Sequence, residues 1–342
     1  MQVNRRVGPW AVIAWAVLAM ASCGSGDASD GATDADVCRG LTAPDPDPDG
    51  RPLPPSVDLA STEERAWLVR RIRMDPYAES GPTEEALGFD LDRHDTLAES
   101  DPAGCGWLDW MAPFGSPIGD ATGVDSQLGP LLSMVDSLGL QWRVNETALT
   151  AAADGRWVIV LRARVAHDGG VALDDAFVEA SIFEGRLAAG TRFETELVRA
   201  SSGDLSLPVE GQTIRLGEGR TTSLDMAFVA AGHIHASTEE IAFGLPTAIG
   251  PPVRIVVRDV SLQTSASLDG VAPGALGGHV EVGSLVDGNG EILGATTPAL
   301  PVETTRSLLE GQADIDLDGD LCGCEALSFT MAFETVPVVI EP

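Results

Sequence analysis

The stretch from Asp314 to Ile340 joins two patterns: DIDLDGDLCGCE at 314–325 and ALSFTMAFETVPVVI at 326–340. In the second pattern the large apolar residues occupy every other position, at Leu327, Phe329, Met331 and Phe333. Because side chains alternate between the two faces of a β-strand, this period of two predicts a strand with one apolar face.

The same alternation extends over most of the chain from residue 141 onward. Short segments with this pattern lie at 157–165, 176–182, 224–228 and 253–257. Turns rich in Gly, Asp and Pro separate them, and the sequence indicates few helices, one of them short and close to Thr304–Gly311. The pattern predicts a mainly β protein in which residues 141–342 form an antiparallel β-sandwich domain.

Residues 57–140 have a different character. Ser61-Thr62-Glu63-Glu64 has the spacing of a capping box, and it predicts a helix that continues to about Met74, before Pro76. Acidic loops follow, and then a second predicted helix from about Pro130 to Leu138. We therefore expect a small helical and acidic segment in front of the β domain.

The first 22 residues have the layout of an export signal. Arg5 and Arg6 give a short basic start, and an apolar run follows from Trp10 to Ala21. This run is too short to be a comfortable membrane span. Its end, Met20-Ala21-Ser22-Cys23, resembles the bacterial lipobox. The resemblance implies cleavage of a signal peptide, residues 1–22, lipidation of Cys23, and export to the membrane surface.

Residues 23–56 are predicted to be a disordered tether. The part after Cys23 is small, polar and acidic, and 43–56 carries repeated Asp-Pro pairs that favour an extended spacer. Gly24, directly after the cysteine, resembles the signal of lipoproteins that are sorted to the outer membrane of Gram-negative bacteria. We therefore expect a membrane partner, reached through the lipid anchor.

The charge of the chain restricts its partners. It has 52 acidic and 21 basic residues and a formal net charge of −31. Such a surface repels nucleic acid, and it attracts divalent cations or basic molecules. We predict no nucleic-acid partner.

The acidic half of the opening stretch fits the calcium-loop spacing D-x-[DN]-x-[DN]-G-x5-E. Calcium takes six to eight oxygen ligands, and a loop of this kind supplies them from alternate carboxylates and a final bidentate one. The candidate ligands are Asp314, Asp316, Asp318, Asp320 and Glu325. The loop resembles an EF-hand loop, but Cys322 replaces a polar ligand and a strand, not a helix, is predicted to follow.

A second interpretation of the same residues stays open. In a strand the aspartates would share one face, exposed to water, while Ile315 and Leu317 faced a core. Four like charges on one strand face repel each other, and Gly319 weakens a strand interior. The sequence does not decide between a Ca²⁺ loop and a solvated acidic strand.

With Cys23 lipidated, four cysteines remain: Cys38, Cys105, Cys322 and Cys324. An even number of cysteines in an exported protein predicts two disulfides. Three pairings are possible, but a bond between Cys322 and Cys324 would be strained. We therefore expect Cys38 and Cys105 to pair with the two C-terminal cysteines.

Such pairing would bring the two acidic regions of the chain together. Asp90, Asp92, Asp109 and Asp125 would then lie near the C-terminal acidic loop and form one composite cation site. The alternative is an acidic, solvated surface crossed by loops. These two acidic blocks resemble aspartate-rich lipoproteins of high-GC Gram-negative bacteria, and this resemblance implies no particular activity.

Three function classes fit these observations. A membrane-anchored, extracytoplasmic lipoprotein of binding or structural type, stabilised by calcium, is the preferred prediction, with a cell-surface protein or polysaccharide as its partner. A hydrolase that acts on an extracellular polymer would need paired carboxylates in a cleft. A subunit of a surface assembly would expose an apolar patch or a free strand edge. An enzyme is the less favoured prediction, since the sequence has no recognisable catalytic motif.

Overall fold

We describe the protein from a computed structural model, in which strand Ala326–Glu341 is the longest element among the described residues. The structure describes residues 62–74, 88–91, 118–119, 124–129, 131, 144–168, 171–200, 203–246, 252–287, 302–317 and 324–341. All of them fall within one compact unit that spans residues 43–342. The predicted signal peptide, the predicted tether and most of the predicted helix at 130–138 lie outside these ranges.

The mainly β character predicted from the sequence is confirmed. The strands in these ranges are β1 Glu63–Arg73, β2 Val158–Val165, β3 His167–Asp168, β4 Val171–Ala172, β5 Ala180–Leu187, β6 Thr195–Ala200, β7 Gly203–Pro208, β8 Thr213–Ser223, β9 Met226–Ala230, β10 His233–Leu245, β11 Val253–Ser265, β12 Ala272–Glu281 and β13 Ala326–Glu341. The helices are α1 Val144–Ala153 and α2 Val302–Glu310. No helix in the described ranges has the length and apolar character needed to cross a membrane.

Nine strands form one continuous sheet in the order β1-β2-β5-β8-β13-β12-β11-β10-β9. A further pairing of β1 with β13 closes the first five into a small barrel, from which the other four extend. Closure is possible because β13 is 16 residues long. Its residues 326–335 pair with β12, residues 332–338 with β1, and residues 339–341 with β8. These nine strands therefore lie in one branched sheet rather than in the two separate sheets of the predicted sandwich. The hairpins β3–β4 and β6–β7 form two further two-stranded sheets.

Two apolar cores lie on opposite faces of the barrel strands. On β2, Ile159 and Leu161 belong to the larger core, whereas Val158 and Val160 belong to a smaller one. The smaller core takes side chains from all five barrel strands and fills the barrel: Ala66, Leu68, Val158, Val160, Phe183, Leu187, Ile214, Val336 and Val338. On β13 the predicted apolar face, Leu327 to Phe333, lies in the larger core.

The helix predicted from Ser61 to Met74 is wrong, because residues 63–73 form strand β1. Its capping-box spacing and its Glu, Ala and Arg residues favour a helix locally. Five consecutive residues from Ala66 to Arg70 are buried, however, and β1 has hydrogen-bonded neighbours on both edges, β2 and β13. Burial on both faces suits a central strand, and this tertiary pairing outweighs the local preference.

Helix α1 was not predicted, since the alternating pattern was extended back to residue 141. Ala148, Ala151 and Ala152 are buried at helical spacing, while neighbouring residues are more exposed. Alanine has the highest intrinsic helix propensity, so VNETALTAAA favours a helix in spite of the strands that follow.

Candidate functional site

The acidic loop is closed at its base by main-chain hydrogen bonds. Ile315 N donates to Ala326 O at 3.1 Å, and Glu325 N donates to Ile315 O at 3.0 Å. Ile315 and Ala326 also form an antiparallel bridge. The chain therefore leaves the sheet after Ile315 and returns at Ala326, the first residue of β13. Asp318, Asp320 and Cys322 lie outside the described residues.

Asp314, the first predicted calcium ligand, is an internal hydrogen-bond acceptor. Its side chain is buried, with 4% of its surface exposed. Oδ1 accepts a hydrogen bond from Ser328 N at 2.7 Å, and Oδ2 accepts one from Ser328 Oγ at 2.5 Å. Hydrogen bonds to a carboxylate are among the stronger ones in proteins. Asp314 therefore joins the start of the loop to β13.

The segment around Asp125 contacts the same face of β13. Ser328 Oγ accepts a hydrogen bond from Gln127 N at 2.8 Å, and Thr330 Oγ1 donates to Asp125 O at 2.8 Å. The carboxylate of Asp125 points back into its own segment, where Oδ2 accepts from Leu91 N at 2.6 Å. The two acidic regions that the sequence predicts to be neighbours thus meet on β13, through Ser328 and Thr330.

The other predicted ligands are placed as follows. Glu325 is exposed, and its Oε2 accepts a hydrogen bond from Leu317 N at 3.0 Å across the mouth of the loop. Asp316, which directly precedes Leu317, is half-buried. Asp92 and Asp109 of the composite site lie outside the described residues. Within the ranges that the structure describes, no group of three or more His, Cys, Asp or Glu side chains is arranged to hold a metal ion.

The donor set still suits a hard cation in part. Calcium needs carboxylate and carbonyl oxygens that face a common point. Both oxygens of Asp314 already accept hydrogen bonds from Ser328, whereas Glu325 is exposed at the loop mouth. A cation in this loop would therefore depend mainly on Asp316, Asp318, Asp320 and Glu325.

Cys324 lies next to Glu325, at the return of the loop. It is half-buried and packs against the larger core. Cys23, Cys38, Cys105 and Cys322 lie outside the described residues, so the pairing predicted from the sequence stays a prediction.

His279 is a titratable group near this network that the sequence analysis did not identify. It lies directly opposite Ser328 in the pairing of β12 with β13 and is 8% exposed. Its Nδ1 is 3.5 Å from Oδ2 of Asp259. Burial lowers the pKa of His279 below its usual value, although Asp259 and Glu281 act in the opposite direction.

Ser328, His279 and Asp259 do not form a catalytic triad. A triad needs the serine hydroxyl to donate to the histidine. Here the hydroxyl is fully buried and donates to Asp314 instead. Ser328 therefore joins β13 to Asp314 and to Gln127, and its hydroxyl is not exposed as a nucleophile. One sequence signal indicated it: Ser328 and Thr330 interrupt an apolar strand at alternate positions.

No protein-family model matches the chain, and no match is found among curated proteins or among solved structures.

We predict that replacing Ser328 by Ala lowers the free energy of unfolding by about 2 kcal/mol or more, because Asp314 loses a donor and the amide of Gln127 loses its acceptor in a buried place. Chemical denaturation of the full-length chain in mild detergent measures the change. The matched control is Ser206→Ala, which removes an exposed hydroxyl that donates to Thr195, and it should change stability by less than about 0.5 kcal/mol. Equal effects of the two substitutions would contradict the role given to Ser328.

We also predict that stability falls as pH decreases through about 6.5, the pKa of an unperturbed histidine. The folded pKa of His279 lies below that of the unfolded chain, so the unfolded state binds more protons in this range. The pKa of His167 is also lowered, mainly by burial and by Arg65, and contributes with the same sign. The contribution of these two histidines to stability is therefore fully present above about pH 6.5 and is lost as the pH falls below it.

The measurement is the denaturation midpoint between about pH 5.5 and 7.5, around that unperturbed pKa. His279→Gln should flatten the pH dependence in part, leaving the share of His167. The control His233→Gln changes a histidine whose Nδ1 lies 3.0 Å from Ala231 O, and it should keep the wild-type slope. An unchanged slope in His279→Gln would refute the assignment.

Proposed function

We propose that the protein is an exported, lipid-anchored protein of binding or structural type, whose β-rich body is stabilised by calcium at the Asp314–Glu325 loop. The observation that supports the calcium part most directly is the closure of the loop onto β13 by Ile315 and Ala326. An ion held by the loop would restrain the residues on both sides of that bridge. Because β13 belongs to both the barrel and its four-stranded extension, the restraint would act on the whole sheet.

The anchor part of the proposal is supported by the sequence. Arg5, Arg6 and the apolar run precede a lipobox-like Met20-Ala21-Ser22-Cys23, and a long polar segment separates Cys23 from β1. This spacer would hold the β-rich body away from the membrane, where a cell-surface protein or polysaccharide can reach it. We place the protein at the outer membrane of a Gram-negative cell.

Replacing Cys23 by Ala should abolish lipidation and move the protein from the detergent phase to the aqueous phase after phase separation of cell extracts. Labelling with a radioactive or alkyne fatty acid provides the second readout, and Cys38→Ala is the matched control that should still be labelled. Fatty-acid labelling of the Cys23→Ala protein at the wild-type level would refute the anchor.

Calcium should raise the thermal unfolding midpoint of the full-length chain in detergent, and a chelator should reverse the change. At 100 times the dissociation constant a single site contributes about 2.7 kcal/mol, which corresponds to a shift of about 5 °C or more for a domain of this size. The double variant Asp316→Asn/Asp318→Asn should lose the shift. Magnesium should give a much smaller one, since it prefers a rigid octahedral site with several waters.

The matched control is Asp204→Asn/Asp269→Asn, which removes two exposed carboxylates outside the loop and should keep the calcium shift. The calcium proposal fails if the wild type shows no shift, or if the Asp316→Asn/Asp318→Asn variant responds as the wild type does. Either result would leave the lipid anchor untouched, since the Cys23 experiment tests it separately.

A further inference from the structure

The interior face of β2 changes from apolar to basic along the strand. Val158 and Val160 belong to the core that fills the barrel. Strand β2 pairs with β1 and with β5 without a register shift. Because side chains alternate along a regular strand, Arg162 and Arg164 project on the same side as the two valines. They therefore lie at one end of the barrel interior.

Arg162 is a half-buried cation with no polar partner in the described part of the chain. Its Nε is fully shielded from solvent and makes no hydrogen bond there. The residues opposite it on the neighbouring strands are uncharged, Ala66 on β1 and Ser181 on β5. Leaving a buried donor without an acceptor destabilises the folded state, and a charged donor more so.

The nearest carboxylates in the strand register belong to the neighbouring arginine. Glu64 on β1 lies opposite Arg164, and the amide of Arg164 donates to the main-chain oxygen of Glu179, directly before β5. Both glutamates are exposed. They lie beside Arg164 and diagonally from Arg162, but among the described residues neither forms an ion pair with Arg162.

Arg70 lies at the opposite end of the barrel core from Arg162, and there a buried guanidinium is paired with carboxylates. It follows Ala66 and Leu68 on β1, and its side chain is 5% exposed. Its Nη1 lies 2.9 Å from Glu196 Oε1, and its Nε lies 3.4 Å from Glu334 Oε2. Two carboxylates thus compensate Arg70. Among the described residues, no carboxylate forms an ion pair with Arg162.

We propose that the Arg162 end of the barrel binds a small oxyanion, such as phosphate or a carboxylate. A guanidinium offers several donors in a planar fork that matches these groups. The hydroxyls of Ser181 and Ser223, paired in register on β5 and β8, lie on the same face and add donors. Ser223 is exposed, so an anion can reach its hydroxyl from solvent.

The strongly negative net charge does not prevent such binding. Charges farther away than about 8 Å are largely screened at physiological salt, so Arg162, Arg164 and the two nearby glutamates set the local potential. The exposed Glu64 and Glu179 beside Arg164 limit the size of the anion that can bind next to Arg162. Long acidic polymers would be repelled by these glutamates.

The test compares the full-length chain in detergent with sodium chloride, phosphate or acetate at equal ionic strength, with a calcium chelator present. Isothermal calorimetry with inorganic phosphate gives the dissociation constant, and acetate distinguishes a carboxylate ligand from a phosphate. Arg162→Met should weaken binding of the preferred anion at least ten-fold. Arg199→Met removes an exposed arginine of β6, and it should bind as the wild type does.

Thermal unfolding provides a second readout. In chloride, Arg162→Met should be as stable as the wild type or more stable, because an uncompensated guanidinium has been removed. In the preferred anion the wild type and Arg199→Met should gain stability, and Arg162→Met should not. If Arg162→Met does not fold, Arg162→Lys keeps the charge with fewer donors and should bind at least three-fold more weakly. Absence of binding of both anions to the wild type, or equal binding by every folded Arg162 variant, would overturn the proposal.

Discussion

The hydrogen bonds between Asp314 and Ser328 connect the acidic loop to the strand on which the rest of the fold depends. Strand β13 has partners on both edges, and most of its side chains are buried on both faces. Leu327, Phe329, Met331 and Phe333 lie in the larger core, while Ser328 and Thr330 face the segments around Asp125 and Asp314. A buried serine in such a place must find partners, because unsatisfied polar groups are costly in the interior. Asp314 and the amide of Gln127 satisfy that requirement.

This constraint gives the acidic loop its place in the molecule. The loop starts from a buried carboxylate and ends at the first residue of β13, so events in the loop act directly on the central strand. An ion of the kind proposed for this loop would therefore act on the sheet through β13. Ser328 and His279 are buried side by side on β13 and β12.

The sequence predicted the apolar face of β13 and the mainly β character, because both follow from a period of two that local residues display. The sequence did not predict strand β1. The capping-box spacing at its start is a local signal, whereas the pairing of β1 with β2 and β13 depends on residues that are distant in the sequence. Closure of the barrel depends on the length of β13 and on which of its edges pairs with β1, β8 and β12. The alternation of side chains predicts neither.

The candidate site shows the same division. The loop and its nearness to the Asp125 region were predicted from spacing and cysteine positions, and the meeting of the two on β13 is observed. Asp314 was predicted as a metal ligand because its carboxylate fits the motif, yet its oxygens face Ser328. A motif records residue types and spacing, and it does not record burial or the direction in which a carboxylate points.

The most direct measurement of this account is native-state hydrogen exchange of the Ser328 amide in the full-length chain. If β13 and its bond to Asp314 hold the sheet together, this amide should exchange only through global unfolding, with the same denaturant dependence as the barrel strands. The amides of the exposed β6–β7 hairpin should exchange through much smaller openings. Exchange of the Ser328 amide as fast as that of the hairpin would contradict the central role of this strand.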